Sequence, residues 1–229
     1  MREKTPDLCE MFGRIAPSYD RVNRLLSMGV DRLWRRRAVR AVKAPAGARV
    51  LDVCAGTGDM ALEWRRRHAG EVVLADYSLP MLRLAEKKIT PYGHAVLADA
   101  LDLPFSDNSF DIVFCSYGLR NLTDPGKGLR SIYRVLRPGG EAAILEFTRE
   151  DRDFLHKGFR EIMLRTITRI ARCFSPDPAA YRYLSGSIRE FYSASELADA
   201  FAKVGFTRVS VKLLTLGLST LLTASKPEV

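Results

Sequence analysis

No stretch of the 229-residue chain is apolar for the roughly 18–20 residues that a membrane-spanning helix needs. No charged, apolar, small-residue pattern opens it, so no secretory signal is expected. Cysteine is scarce. The four present, Cys9, Cys54, Cys115 and Cys173, are scattered and form no C-x-x-C pair. This argues against a disulfide framework or a zinc ribbon, favours a reducing compartment and leaves no metal expected. Cys54 and Cys115 fall at strand ends and read as small buried residues. There are no internal repeats and no low-complexity tracts, which excludes a solenoid or a fibrous array.

Positive charge, by contrast, is in surplus: 36 Lys and Arg against 27 Asp and Glu, a net +9. It is unevenly spread. Arg32, Arg35, Arg36, Arg37 and Arg40 form one group, and Lys157, Arg160, Arg165, Arg169 and Arg172 another. Such groups attract polyanions, either nucleic acid or an anionic membrane face, when they are more than a solvated helix surface.

The apolar spacing predicts two helices over 7–43 with a break at Ser27-Met28-Gly29. From Arg49 strands and helices alternate. Strands are predicted at 50–53, 72–75, 94–97, 110–115 and 142–147, and helices at 57–68, 80–88 and 125–136, the last ended by Pro138-Gly139-Gly140. This alternation implies an α/β fold with a mostly parallel sheet covered by helices on both faces. Residues 154–174 read as an amphipathic helix, 181–190 as a short helix, and 195–204 as a helix capped near Ser193 or Ser195 and closed by Gly205. Strands at 206–213 and 218–225 then form an antiparallel hairpin at the sheet edge. One domain is expected. It comprises a helical cap (1–44), a cofactor-binding core (45–150), a helical lid insertion (151–192) and a C-terminal helix and hairpin (193–229).

The first strand-to-helix turn reads Asp52-Val-Cys-Ala-Gly56-Thr57-Gly58-Asp59. Glycines there let the backbone turn sharply and approach a ligand. Gly56-x-Gly58-x-x-Ala61 also mimics a dinucleotide fingerprint, and Asp76, about twenty residues on, suits ribose hydroxyls in either case. Asp52 favours a methionine amino group and would repel a pyrophosphate, while Asp99-Ala100 suits an adenine amino group. Asp107 and Asp111 read singly as turn residues. The set resembles a class I S-adenosylmethionine-dependent methyltransferase, a Rossmann-like fold with a seven-stranded sheet. The expected cofactor residues are Asp52, Gly56, Thr57, Gly58, Asp76, Tyr77, Asp99, Ala100 and Ser116.

Three further segments narrow the likeness. They are Phe12-Gly-x-Ile-Ala16-x-x-Tyr19-Asp20-x-x-Asn23 with Ser27-x-Gly29-x-x-x-x-Trp34; Gly118-Leu119-Arg120-Asn121-Leu122-Thr123-Asp124; and Tyr181-Arg182-Tyr183-Leu184-x-x-Ser187-Ile188. They are similar to signatures of the ubiquinone/menaquinone biosynthesis C-methyltransferase family over nearly the whole chain. The resemblance implies ring-carbon methylation of a polyprenyl quinol, most simply demethylmenaquinol, with Tyr19, Arg120 and Asn121 at the reacting ring. Arg120, too basic to serve as a free base, is assigned to stabilising a phenolate and orienting a water; a salt bridge to Asp124 is its structural alternative.

The chain departs from the family twice. Leu222 stands where a His is common after Thr215-x-Gly217, and the Arg-rich 154–174 stretch replaces an aromatic, Pro-containing one. The tail implies cytoplasmic work with peripheral contact at an anionic inner membrane face, helix 154–174 being an interfacial helix or a lipid-facing lid, with an ordinary lid helix packed on the core as the alternative. A homodimer is also entertained. Nucleic acid is disfavoured as a partner, since the chain has neither an Asn-Pro-Pro-Tyr site nor a Pro-Cys nucleophile. Methylation of another small phenolic, a silent scaffold and an NAD oxidoreductase are the remaining alternatives.

Overall fold

A computed structural model describes residues 5–149, 158 and 178–228, with side chains for 8–149, 158 and 183–228. Its sheet has the order β3-β2-β1-β4-β5-β7-β6, formed by β1 (Val50–Val53), β2 (Val72–Asp76), β3 (Gly93–Leu97), β4 (Phe110–Ser116), β5 (Leu136–Glu146), β6 (Thr207–Leu214) and β7 (Ser219–Ser225). β1 to β5 pair in parallel, and β7 runs antiparallel to both of its neighbours. The expected hairpin therefore contributes only β6 to the edge; β7 is an interior strand.

Side-chain alternation divides the core between the two sheet faces. Val50, Val72, Leu74, Ile112 and Phe114 pack toward α2 (Val30–Ala41), α3 (Asp59–Arg65) and α4 (Leu79–Ile89). Leu51, Val53, Val73, Val113 and Cys115 pack toward α5 (Pro125–Val135) and α7 (Ala194–Val204). Such strands, buried on both faces, read as continuous apolar runs. α1 (Thr5–Leu26) and α6 (Pro178–Glu190) lie beyond this sandwich. Met11, Ile15 and Val22 of α1 cluster with Met81 of α4, and Tyr183 and Leu184 of α6 pack on that cluster.

Local chemistry sets the element ends. Asp124 accepts the Lys127 N–H at 2.8 Å and Pro125 takes the first helical position of α5. Ser193 and Glu196 form a reciprocal capping box on α7, and Gly205 ends that helix at φ 109°. The α3 helix starts two residues later than the expected 57, because Gly56 (φ 54°) and Gly58 (φ 80°) hold the preceding turn in left-handed conformations, and it ends at Arg65 rather than 68. β5 begins at Leu136 rather than Ala142. The Pro138-Gly139-Gly140 run that was expected to stop a helix enters the strand through a register irregularity opposite Phe110 and Ile112. Gly140 is needed there, since a Cβ would lie 2.9 Å from the Asp111 carbonyl oxygen. The expected helix at 154–174 lies outside the described residues.

After β3 the chain returns to pair β4 with the opposite side of β1. The carboxyl ends of β1 and β4 therefore flank a topological switch point, where open α/β sheets hold their ligands.

Candidate active site

A cleft enclosing about 900 Å³ opens at this switch point. Gly56, Asp76, Tyr77, Asp99, Ala100 and Ser116 all stand on its wall. Gly56 leaves it open, because a Cβ there would find no atom within 4 Å. Asp76 accepts the Gly56 N–H at 2.7 Å on one oxygen and the Ser78 N–H at 2.8 Å on the other. Burial raises its carboxyl pKa. Asp99 accepts the Leu101 N–H at 2.8 Å. The Ser116 hydroxyl is buried with no partner among the described residues, which is costly unless a ligand supplies one. Two carboxylates, a side-chain-free turn and an orphaned hydroxyl fit the ribose, adenine and amino-acid portions of S-adenosylmethionine.

The structure places Asp52, Thr57 and Gly58 behind this wall rather than on it. Gly58 allows close packing: a Cβ would come within 3.0 Å of Leu74 and 3.1 Å of Ala85. Thr57 donates to Asp20 of α1 at 2.5 Å, and Lys88 bridges Asp20 and Asp59 at 2.5 and 2.7 Å. These bonds latch α1 over the glycine turn. Asp52 is 1% exposed; it accepts the Ala61 N–H at 3.2 Å, and its second oxygen has no partner.

Burial pushes the Asp52 carboxyl up to about 7. A carboxyl raised on folding binds more protons in the native state between pH 4 and 7, so its contribution to stability falls as pH rises through that window. Asp52→Asn is accordingly expected to raise the Tm of the ligand-free protein at pH 8 by several degrees and to leave it nearly unchanged at pH 4. Thermal melts at the two pH values check this.

Cys54 and Gly118 close the switch point. Cys54 has φ 54° and, unlike buried Cys115, is half-exposed on the cleft wall; a Cβ at Gly118 would lie 2.2 Å from the Cys54 Cβ.

A second cavity of about 1390 Å³ adjoins the first, and the two share Phe12, Tyr19 and Tyr117 as walls. Its lining is mainly apolar, with Met11, Ile15, Trp34 and Leu184 among it, and its charged residues are Asp31, Arg35 and Arg120. Arg120 does not pair with Asp124, which caps α5 and faces Arg130 at 3.7 Å. Its partner is Glu146, wholly buried at the end of β5. The guanidinium Nη1 lies 2.6 Å from the carboxylate and also donates to the Tyr117 carbonyl at 2.6 Å. Burial opposes the Arg120 charge, and Glu146 together with Tyr19 and Tyr183 outweighs it, so the pKa is raised.

Asn121 donates to the Tyr117 carbonyl at 3.2 Å and accepts the Tyr183 hydroxyl at 3.1 Å. Burial raises the Tyr19 pKa, and Arg120 and Arg35 pull it back. Tyr117, held at φ 59°, bonds Ser219 through its hydroxyl at 3.0 Å and packs against Phe147 with centroids 4.6 Å apart and planes tilted by 30°. Glu146, Arg35 and Tyr117 are the site residues that sequence reasoning missed. A carboxylate at the end of the fifth strand was the available signal for Glu146.

Two other expectations change. Of the α2 arginines, Arg32, Arg36, Arg37 and Arg40 are exposed, but Arg35 turns inward to Asp31 at 2.6 Å, because one helical turn sets the two on the face that carries buried Trp34. Leu222 is fully buried in the sheet core beneath α5 and α7 and lines neither cavity, so the replacement of His there does not reach a ligand. Thr215, by contrast, accepts the Trp34 indole N–H at 2.9 Å at the cavity edge.

Comparison with known proteins gives the family and the fold. The model of the ubiE/COQ5 methyltransferase family matches residues 1–226. The chain is 39% identical to a ubiquinone/menaquinone biosynthesis C-methyltransferase of Geotalea daltonii, covering 99% of both chains. It is 41% identical to a demethylmenaquinone methyltransferase of Thermus thermophilus, covering 95% of this chain and 100% of that one. Among solved structures, a putative methyltransferase in complex with the Haloferax volcanii Trm112 activator superposes with TM-score 0.68 at 20% identity, over 95% of this chain and 98% of the other. The chain belongs to the ubiE/COQ5 methyltransferase family.

Proposed function

We propose that this protein methylates a ring carbon of a polyprenyl quinol, with demethylmenaquinol as acceptor and S-adenosylmethionine as donor. The observation that carries the reading is the pair of adjoining cavities. One is lined by carboxylates at strand ends; the other is apolar and wide, with Arg120 near the shared wall. Asp76 would hold the ribose and Asp99 with Ala100 the adenine. Tyr77, Ser116 and Gly56 complete the contact, while Asp52, Thr57 and Gly58 support the turn from behind. When bound, the cofactor supplies an electrophilic methyl group.

The chain's own residues prepare the acceptor. A quinol carbon becomes nucleophilic once the adjacent hydroxyl ionises. Arg120, its plane fixed by Glu146, would favour that phenolate and orient the water that takes the proton. Asn121 would hold a ring oxygen or that water, and Tyr19 completes the network from α1. Positioning between two preformed cavities supplies much of the rate. In this scheme residues 1–44 are the cap, 45–150 the cofactor core, 151–192 the lid and 193–229 the C-terminal support.

The test is methyl transfer from isotope-labelled S-adenosylmethionine to reduced demethylmenaquinone and demethylubiquinone analogues in mild detergent, read by mass spectrometry. A ring-methylated naphthoquinol is the expected product. Cofactor binding without transfer to either would move the acceptor to another phenolic.

A prenylated acceptor also suggests where the protein works. No helix among the described residues is long and apolar enough to cross a membrane. Met28, which lines the second cavity, is however 80% exposed, and Leu25, Leu33 and Leu216, each next in sequence to a lining residue, are exposed too, as are Arg32, Arg36 and Arg37 of α2. An apolar patch with a basic margin suits peripheral contact of a cytoplasmic protein with an anionic bilayer. Vesicles with anionic lipid are expected to float the protein, and neutral vesicles to float much less; Met28→Glu with Leu216→Glu should reduce flotation about tenfold. Equal failure to bind both vesicle types would remove the membrane contact. The homodimer expectation is decided by sedimentation, at the mass of two chains or of one.

A further inference from the structure

Arg35 has no part in the scheme so far, yet it is the second guanidinium of the acceptor cavity. Its side chain is only 12% exposed. Asp31 holds it through one contact, Nη1 to Oδ2 at 2.6 Å, and Asp31 is itself fixed by the Ser27 hydroxyl at 2.8 Å. The Arg35 Nε is buried and has no partner among the described residues.

Arg120 repeats the pattern, with one carboxylate partner and a buried Nε without one. Each guanidinium lies over one ring of the tilted Tyr117–Phe147 pair. Arg35 lies 5.8 Å from the Tyr117 centroid and Arg120 5.6 Å from that of Phe147. Both also act on the Tyr19 hydroxyl. A buried, half-satisfied cationic donor costs stability unless something accepts from it. A run of solvated arginines would have no reason to send one member inward, and hydrophobic packing would favour Leu or Met at that position.

We propose that Arg35, braced by Asp31, is a second oxygen site of the acceptor cavity, which binds the ring oxygen remote from the one at Arg120. The cavity then selects a ring bearing two oxygens rather than a simple phenol. This rests on the quinol reading above and adds to it the group that recognises the second hydroxyl. A charge-assisted hydrogen bond of this kind contributes about 10-fold to 100-fold in affinity.

The test measures dissociation constants, without oxygen and with S-adenosylhomocysteine present, for a short-chain prenyl naphthalenediol and for the matching mononaphthol that keeps the hydroxyl beside the methylated carbon. The wild type is expected to bind the diol at least about tenfold more tightly. Arg35→Gln should bring the two together by weakening the diol alone, and Arg35→Lys should recover part of the difference. Because Arg35→Gln leaves Asp31 unpaired, the double variant R35Q/D31N provides a folded control with the same expected loss of preference.

Equal binding of both compounds by the wild type would overturn the site, as would an unchanged preference in both glutamine variants. A tenfold weaker S-adenosylmethionine affinity in Arg35→Gln with the diol preference intact would assign Arg35 instead to the cofactor's carboxylate. Methyl transfer to neither compound by the wild type would fail the quinol reading itself, and this site with it.

Discussion

Arg120→Ala is expected to lower kcat by at least about 10²–10³-fold, the cost of removing a donor aimed at developing negative charge. The dissociation constant for S-adenosylmethionine should move little, because Arg120 lines the acceptor cavity and not the cofactor cleft. Product formation under single turnover and cofactor titration of the same preparation check the two halves. Near-normal turnover would refute a catalytic role for Arg120. Arg120→Lys should recover only part of the rate. An ammonium keeps the charge but cannot span Glu146 and the Tyr117 carbonyl while presenting a further planar donor.

The second large effect is expected at Glu146. Its carboxylate is fully buried and accepts from the Arg120 side chain, the Arg120 N–H and the Phe147 N–H. Glu146→Gln leaves a buried guanidinium without its counter-charge, a loss of about 3–5 kcal/mol. For a chain of this length that lowers Tm by on the order of 10 °C. Activity should fall as well, since the Arg120 plane is no longer fixed. The double variant R120L/E146L separates the causes. An apolar pair of similar volume removes the unpaired charge but leaves the Arg120 and Phe147 N–H groups without an acceptor, so it should recover only part of the stability and none of the activity. A double variant as unstable as Glu146→Gln would mean that the ion pair supports the fold in some way beyond its own charge balance.

The carboxyl ends of parallel strands must carry the cofactor groups, so the glycine turn and the spacing to Asp76 and Asp99 were readable from strand-helix alternation alone. Asn121 and Tyr19 were reached only through resemblance, because nothing local marks them. Glu146 was missed for a physical reason. It lies 26 residues from Arg120, and the two meet only because Ser116 pairs with Leu145 across β4 and β5. Arg35 was concealed by its neighbours. In a run of arginines every member looks solvated, and the inward turn depends on Asp31 one helical turn earlier and on Trp34 beside it. The left-handed Tyr117 carries no sequence mark at all, since it is neither Gly nor Asn.

The bonds from Asp20 to Thr57 and Lys88 have a thermodynamic meaning. They join α1, whose Phe12 and Tyr19 stand on both cavities, to the glycine turn of the cofactor cleft and to α4. A ligand that settles the turn also settles α1, so part of the ordering entropy for the second ligand is met by the first. Cooperativity of this origin is reciprocal: the factor by which donor tightens acceptor equals the factor by which acceptor tightens donor. The Asp20 tether is thus expected to make the empty protein the weakest binder of either ligand and the half-filled protein a better one, a difference that titration of each ligand with and without the other would read.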